Sequence, residues 1–568
     1  MALRRSPGAF PRTEIHHSTG GGPSLGALSL LAGALSACSF FVDFPDVVGD
    51  GGAPGTGGTA GASVNTGGVA GMGGQPTGGQ SAGGAPDGGG PTGGGPVGGG
   101  TCTADSQAFT AEFDEAAQLG TIEVDGMEPE VIAIDADGDI WWAGVMYSGT
   151  LNANGNAVQS TTADPGGVYL LEIDAAGHSK RGFVFGVNAS TTVFDIVALA
   201  DGNIALVGSL MGTLDFGDIA VTATPPQDAE EYNKLDGFIA IFDPAQNAVT
   251  HAAHFGDGGY QEITSIAQDS KGDLVVATTS KGSIDWGQGS KTNEGITLAK
   301  LHEDLSPVWS RELQTGASTT PTVAVAVDDS IFLGGATVAA NVFGGTIAGE
   351  LVVSDYDAFV AHYTTEGSWL WHRILGDDYY QGTVATTLAP DGDVVVAGTF
   401  LNGLKEHGTV TIFNSGATAW AADDVFIARF AADTGVTRWL QQIHGESFQN
   451  ARDLKVDCAD RVIVSGTVYS PSGMGVDFGD GENVPSTSID DYGDLFIATY
   501  KGADGSVLFK SRVGDDYEEI IHRIELDAAG HLWVAGGFFF SIVLDPGIGG
   551  TLASGSWDFF IARYLTGP

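Results

Sequence analysis

The sequence predicts an all-β fold, a single seven-bladed β-propeller built from four-stranded antiparallel blades. Three observations lead there: one apolar hairpin occurs seven times, a second strand motif recurs behind it, and a spare strand-like segment precedes the first copy.

The hairpin is an apolar strand, a tight polar turn and a second apolar strand ending in a small pair. It occupies 131–144, 196–208, 265–278, 323–335, 386–398, 454–466 and 524–536. Asp137-Gly138, Asp201-Gly202 and Asp391-Gly392 supply the positive-φ residue that such turns need. The flanking runs alternate β-branched and apolar residues, which is strand patterning.

A segment of the form GT-x-DFG follows several hairpins, as at Gly212 to Gly217 and Gly282 to Gly287. After a variable loop comes a strand of the form D-x-F-I-A: Asp236 to Ala240, Asp357 to Ala361, Val425 to Ala428, Asp494 to Ala498 and Asp558 to Ala562. A fourth strand, with tryptophan at Trp309, Trp371 and Trp439, closes the unit. Seven units over residues 103–568 give about 67 residues each, longer than the roughly 40–45 of a WD40 blade, and long third-strand loops account for the surplus. The last unit has no fourth strand after Tyr564, while Ala108 to Phe113 reads like the fourth strands elsewhere. Pairing the two closes the ring and removes both exposed edges.

Residue for residue, these units resemble the bacterial SBBP-type (seven-bladed β-propeller) repeat of secreted and surface proteins. The resemblance rests on the DGD/N-x-x-x-AG hairpin, the GT-x-DFG segment and the D-x-F-I-A strand, and it covers nearly all of 103–568. Thr278 stands where the hairpin glycine is expected, and Leu544-Asp545-Pro546 where the DFG-like step is expected. The family is defined by its fold, so the resemblance implies no catalytic residue.

The N-terminal part is of another kind. Arg4, Arg5 and Arg12 precede an apolar run from Leu25 to Ala37, shorter than the ~20 residues that cross a bilayer but suited to a signal peptide. Leu35-Ser36-Ala37-Cys38 resembles the bacterial lipobox, which implies removal of residues 1–37, acylation of Cys38 and, with Ser39 next, placement at the outer membrane or cell surface. Residues 38–102 then form a tether. From Gly49 to Gly100 it has no aromatic residue and only Asp50 and Asp87 as charges, too little apolar surface to offset ordering. As a Gly-rich coil it reaches roughly 40 Å.

Acidic residues outnumber basic ones by 70 to 23, a net charge of −47 that excludes nucleic acid as a partner. Contact with the membrane is expected through the lipid alone, and the folded part is expected to be a monomer. Two readings stay open for Cys102 and Cys458, a disulfide or two unrelated thiols.

Candidate ligand residues lie in the loops that join one blade's outer strand to the next blade's inner strand. These carry Asp257 and Tyr260, then Asp377, Asp378 and Tyr379, then Asp515, Asp516 and Tyr517. Gly445 to Phe448 is a looser copy, and Asp114-Glu115 takes the matching place after the spare strand. Such a rim of carboxylates and rings suits hard cations, sugars or cationic groups; the competing reading is turn chemistry and packing. No cofactor is expected, with Ca²⁺ as the one cation considered. Asp135-x-Asp137-Gly138-Asp139 resembles a calcium loop, yet Lys271 in the third copy argues for a plain turn. Ala432 to Trp439 resembles the tryptophan-docking motif of quinoprotein propellers, where that tryptophan is structural.

No catalytic constellation is visible. The expected function is a non-enzymatic binding or scaffolding module with a protein or carbohydrate partner at the loop face. The alternative is a polysaccharide-active hydrolase or lyase using rim carboxylates.

Overall fold

The computed structural model describes residues 111–118, 122–123, 130–146, 148–151, 158–159, 167–187, 190–225, 235–316, 320–339, 342–345, 356–377, 379–406, 409–413, 423–445, 448–469, 475–485, 493–544 and 551–566. Cys38, Cys102, Asp378, the signal segment and the tether lie outside them.

Seven of the eight sheets among the described residues form a seven-bladed β-propeller, the eighth being a small three-stranded one of Ile122–Glu123, Ser148–Leu151 and Val158–Gln159. Their inner strands are Val131–Ile134, Thr191–Ala198, Tyr260–Gln268, Thr322–Val325, Gln381–Leu388, Gln449–Val456 and Glu519–Leu526. Each pairs antiparallel with the second strand of its hairpin, then with a third and a fourth. Ring closure follows the expected logic. Ala111–Gln118 is the outer strand of blade seven, running on past the expected 113, and pairs with Thr551–Thr566 from Ala111↔Thr566 to Gln118↔Phe560; residues 108–110 lie outside the described residues. Asp114-Glu115 therefore sits within a strand and not in a loop. Side chains fix this register: Gln118 Nε2 donates to Asp558 at 2.6 Å, and Arg563 is paired with Asp114.

The small pair ending each hairpin has a packing cause. Gly208, Gly398, Gly466 and Gly536 lie opposite Phe238, Phe426, Phe496 and Phe560, the aromatics of D-x-F-I-A. A Cβ on any of these glycines would overlap both that ring and a carbonyl of the inner strand. Blade three departs from the motif at both positions together. Thr278 faces Thr297, and both are fully buried, so two medium side chains replace one glycine and one phenylalanine. Volume is conserved across the pair.

The aspartate that opens D-x-F-I-A is equally structural. Asp236, Asp357, Asp424, Asp494 and Asp558 are each at most 1% exposed. Three of them bond to the outer strand of their own blade, through His254, Arg512 and Gln118.

The GT-x-DFG segments are not slack loop. Thr213–Asp215 and Ala220–Thr222 form a small hairpin that pairs with the outer strand of the preceding blade, Ser179–Val187. Gly403–Glu406 with Thr409–Phe413, and Gly475–Asp477 with Asn483–Pro485, repeat this on blades four and five, extending those sheets to six strands. The aromatic of the motif wedges between blades, as with Trp286 stacked on Phe255 at 4.4 Å.

Tryptophan docking, legible in one segment of the sequence, occurs at three successive junctions. Trp309, Trp371 and Trp439 donate to Thr365 O, Ala432 O and Gly502 O of the next blade at 3.1, 2.7 and 2.6 Å. Their rings lie on Gly367, Gly435 and Gly505, where a Cβ would collide with the indole. These glycines hold φ of 72°, 64° and 71°, a second reason for their identity.

Cys458 is disulfide-bonded. It lies in the hairpin turn of blade six, and its partner is outside the described residues. Because outer strands run opposite to third strands, Ala111–Gln118 begins on the face that carries these hairpin turns.

Candidate functional site

Each full-length inner strand carries a β-bulge. The register shifts around residues 194, 264, 384, 452 and 522, one residue being left unpaired each time. The residue after the bulge, eight or nine before the start of the second strand, is the one that reaches the neighbouring blade where it is polar. Around the ring these positions hold Val131, Asp195, Ser265, Thr322, Ala385, Asp453 and Arg523.

Four of the seven form a belt that ties inner strands together. Asp195 accepts from Ser265 Oγ and from Ile266 N at 3.1 and 3.0 Å. Ser265 Oγ accepts from Val323 N at 3.2 Å, Thr322 bonds Thr386 at 2.8 Å, and Asp453 accepts from Ile524 N at 3.0 Å. Inner strands are sheet edges, and the belt satisfies N–H groups that would otherwise face the channel unpaired.

Inside the belt lies a channel cavity of about 360 Å³, lined by all seven inner strands. It runs from the bulges towards the hairpin turns, reaching Ala136 in blade one and Ala528 in blade seven. None of Asp257, Tyr260, Asp377, Tyr379, Asp515, Asp516 or Tyr517 lines it. The cavity therefore belongs to the face opposite the loops in which the sequence places a ligand rim.

Sevenfold repetition breaks at this cavity. Blades three to five contribute small or hydroxylated residues such as Thr322, Thr386 and Thr387, while blades two, six and seven contribute Asp195, Asp453, Lys455, Arg523 and Glu525. Lys455 Nζ donates to Glu525 at 2.6 Å, and Arg523 reaches past the short inner strand of blade one to Phe194 O at 2.9 Å. Burial pushes the Asp195 and Glu525 carboxyls above their ordinary values, against the pull of Arg523 and Lys455. The belt explains Asp195 and Asp453. It does not explain Arg523, an obligate donor where neighbouring blades place acceptors, or the Lys455–Glu525 pair.

Donors are the hydrogen-bonding capacity that the channel uses least. Among the described residues the four carboxylates of the channel, Asp135, Asp195, Asp453 and Glu525, each accept from backbone or side chain. Arg523 makes a single side-chain hydrogen bond out of five N–H donors, and Lys455 a single one out of three. A ligand bearing a carboxylate or a similar acceptor group fits that surplus.

The loop residues foreseen in the sequence occupy equivalent places in three blades, and their first aspartate is committed to the fold. Asp257 accepts from Gly259 N and Ser283 N at 3.0 and 2.9 Å. Asp377, itself buried, accepts from Tyr379 N, Gln381 Nε2 and Asn402 Nδ2. Asp515 accepts from Tyr517 N and Ser541 Oγ. Asp516 and Tyr517 are exposed, whereas Tyr260 and Tyr379 are half-buried. Asp135 likewise serves its turn, accepting from Asp137 N, Asp139 N and Trp141 Nε1. Among the described residues no group of three His, Cys, Asp or Glu side chains is placed to hold a metal ion.

Sequence reading missed the channel residues because bulges leave no mark in composition. Aligning the hairpins would have found Lys455 and Glu525, since the same place holds Ala133, Val197, Ala267, Ala324 and Thr387 in the other blades.

The chain is a seven-bladed β-propeller. No family model matches its sequence, and no curated protein matches it. Among solved structures it is similar to a quinohemoprotein alcohol dehydrogenase, ADHIIG, from Pseudomonas putida HK5, at 10% identity and a TM-score of 0.40 over 83% of this chain and 78% of that one. It is also similar to a protein of unknown function from Dyadobacter fermentans DSM 18053, at 10% identity and a TM-score of 0.38 over 80% and 99%. A third is Sqt1 from Chaetomium thermophilum, at 10% identity and a TM-score of 0.36 over 75% and 97%. No residue of the channel is carried over from them.

Proposed function

We propose that this is a non-enzymatic binding propeller of the SBBP-repeat type, lipidated at Cys38, held at the outer membrane or cell surface by its Gly-rich tether, and taking a small acceptor-bearing ligand in its channel. One observation carries the binding reading: the repeat is broken where the cavity is, by donors that the fold uses only in part. Repetition preserves what every blade needs, so a local departure inside a concave site points to a ligand. The polysaccharide-cleaving alternative draws no support from the rim, whose first aspartates hold their own turns.

The test is thermal unfolding against a panel of hydroxylated carboxylates, neutral sugars and Ca²⁺. A ligand present at 100 times its Kd stabilises by about 2.7 kcal/mol, which a melting curve resolves. Carboxylates are expected to raise Tm and neutral sugars of equal size to do so less; a panel without any shift overturns the reading. In the same cells, Cys38→Ala is expected to release the protein from the membrane fraction, and retention there would refute the anchor.

A further inference from the structure

Blade seven differs from the others on the opposite face as well. The residue eight positions after the start of the second strand turns the chain towards the next loop. In blades two, three and five it is Gly212, Gly282 and Asn402, with φ of 92°, 142° and 65°. These are the residue types that tolerate left-handed backbone. In blade seven the same place is held by Phe540, with φ of 65°. A bulky aromatic there is strained, and its side chain is 39% exposed, so burial does not compensate.

Phe540 is not alone. Its ring lies 5.2 Å from Tyr517, itself 40% exposed, and 4.2 Å from Phe539, which in turn lies 5.6 Å from Trp557. The cluster is fastened to the loop before blade seven, because Ser541 Oγ donates to Asp515. Strain at a residue that stays 39% exposed, where three other blades use Gly or Asn, marks a residue kept for what it touches.

We propose that Phe540 and Tyr517 form a stacking platform for a glycan chain, separate from the channel and on the other face of the disk. Aromatic faces take the C–H faces of sugar rings, and Asp516, exposed between Asp515 and Tyr517, supplies acceptors for ring hydroxyls. The channel donors call for an acidic small molecule. The platform has no Lys or Arg within residues 513–522 or 530–557, and so takes a neutral or amino-sugar chain.

The test is Phe540→Asn, which installs the residue that blade five uses. Tm is expected to hold or to rise by about 1–2 °C, since the backbone strain is relieved. Binding to cellohexaose and to a chitosan hexamer, measured by titration calorimetry on the full chain, is expected to fall at least 10-fold. Phe540→Trp keeps an aromatic face and is expected to retain binding whatever its effect on Tm. Wild-type protein that binds neither oligosaccharide, an Asn variant that binds like wild type, or loss in the Trp variant overturns the platform. Each of these outcomes leaves the channel reading standing, because that reading is measured with small carboxylates.

Discussion

Gly398→Thr and Phe426→Thr are expected to be severely destabilising alone and to compensate one another when combined. The first drives a branched side chain into Gly382 O and the Phe426 ring. Overpacking of that kind costs about 1–3 kcal/mol and sometimes more. The second removes a fully buried ring and leaves a cavity, for which large-to-small changes cost about 3–5 kcal/mol. Together they rebuild the Thr278–Thr297 pair that blade three already uses at the same register. A coupling energy of about 1–3 kcal/mol in favour of the double variant is expected from a denaturant double-mutant cycle. Simple additivity would mean that Gly and Phe are independent features of the repeat, against the packing argument above.

Glu519→Gln is expected to stabilise the protein, and more so as pH rises. Glu519 is fully buried at the start of the last inner strand, where three other blades place buried Gln261, Gln381 and Gln449. In two of those blades the amide holds the preceding loop, Gln261 and Gln381 donating to Asp257 and Asp377 at 3.2 and 2.9 Å. An ionised glutamate cannot donate. Burial, with Asp515 and Asp494 beside it, pushes the Glu519 carboxyl up to about 11. The folded chain then keeps a proton that the unfolded chain releases above its ordinary value near 4.5, so stability falls as pH climbs from there towards 11. At pH 7 the loss is on the order of 3 kcal/mol relative to pH 4. The glutamine variant removes this slope. Urea unfolding at pH 4.5, 7 and 9 is expected to show a gain that grows with pH; a gain of equal size throughout, or a loss, would contradict the assignment.

Both predictions turn on positions that the sequence displays but does not explain. Hairpin turns, D-x-F-I-A strands and the missing last strand are legible because backbone demands repeat in every blade. The closing strand runs five residues past its expected end at 113, since AEFDEAAQ alternates weakly and its register is set by distant partners, Arg563 and Asp558. The rim aspartates were visible as a pattern, yet their pattern is that of turns. Functional candidates were harder to see for the opposite reason. Arg523, Lys455 and Phe540 are single departures from a repeat, and only a common register shows that they depart.

Arg523→Gln, titrated with galacturonate by calorimetry beside the wild type and Phe540→Asn, tests the channel most directly. Galacturonate carries one carboxylate and several hydroxyls and is small enough for about 360 Å³. The wild type and the Phe540 variant are expected to bind it alike, and the Arg523 variant, still folded at the titration temperature, at least 10-fold more weakly. Absence of binding in the wild type, equal binding in the Arg523 variant, or loss confined to the Phe540 variant would contradict a ligand site in the channel.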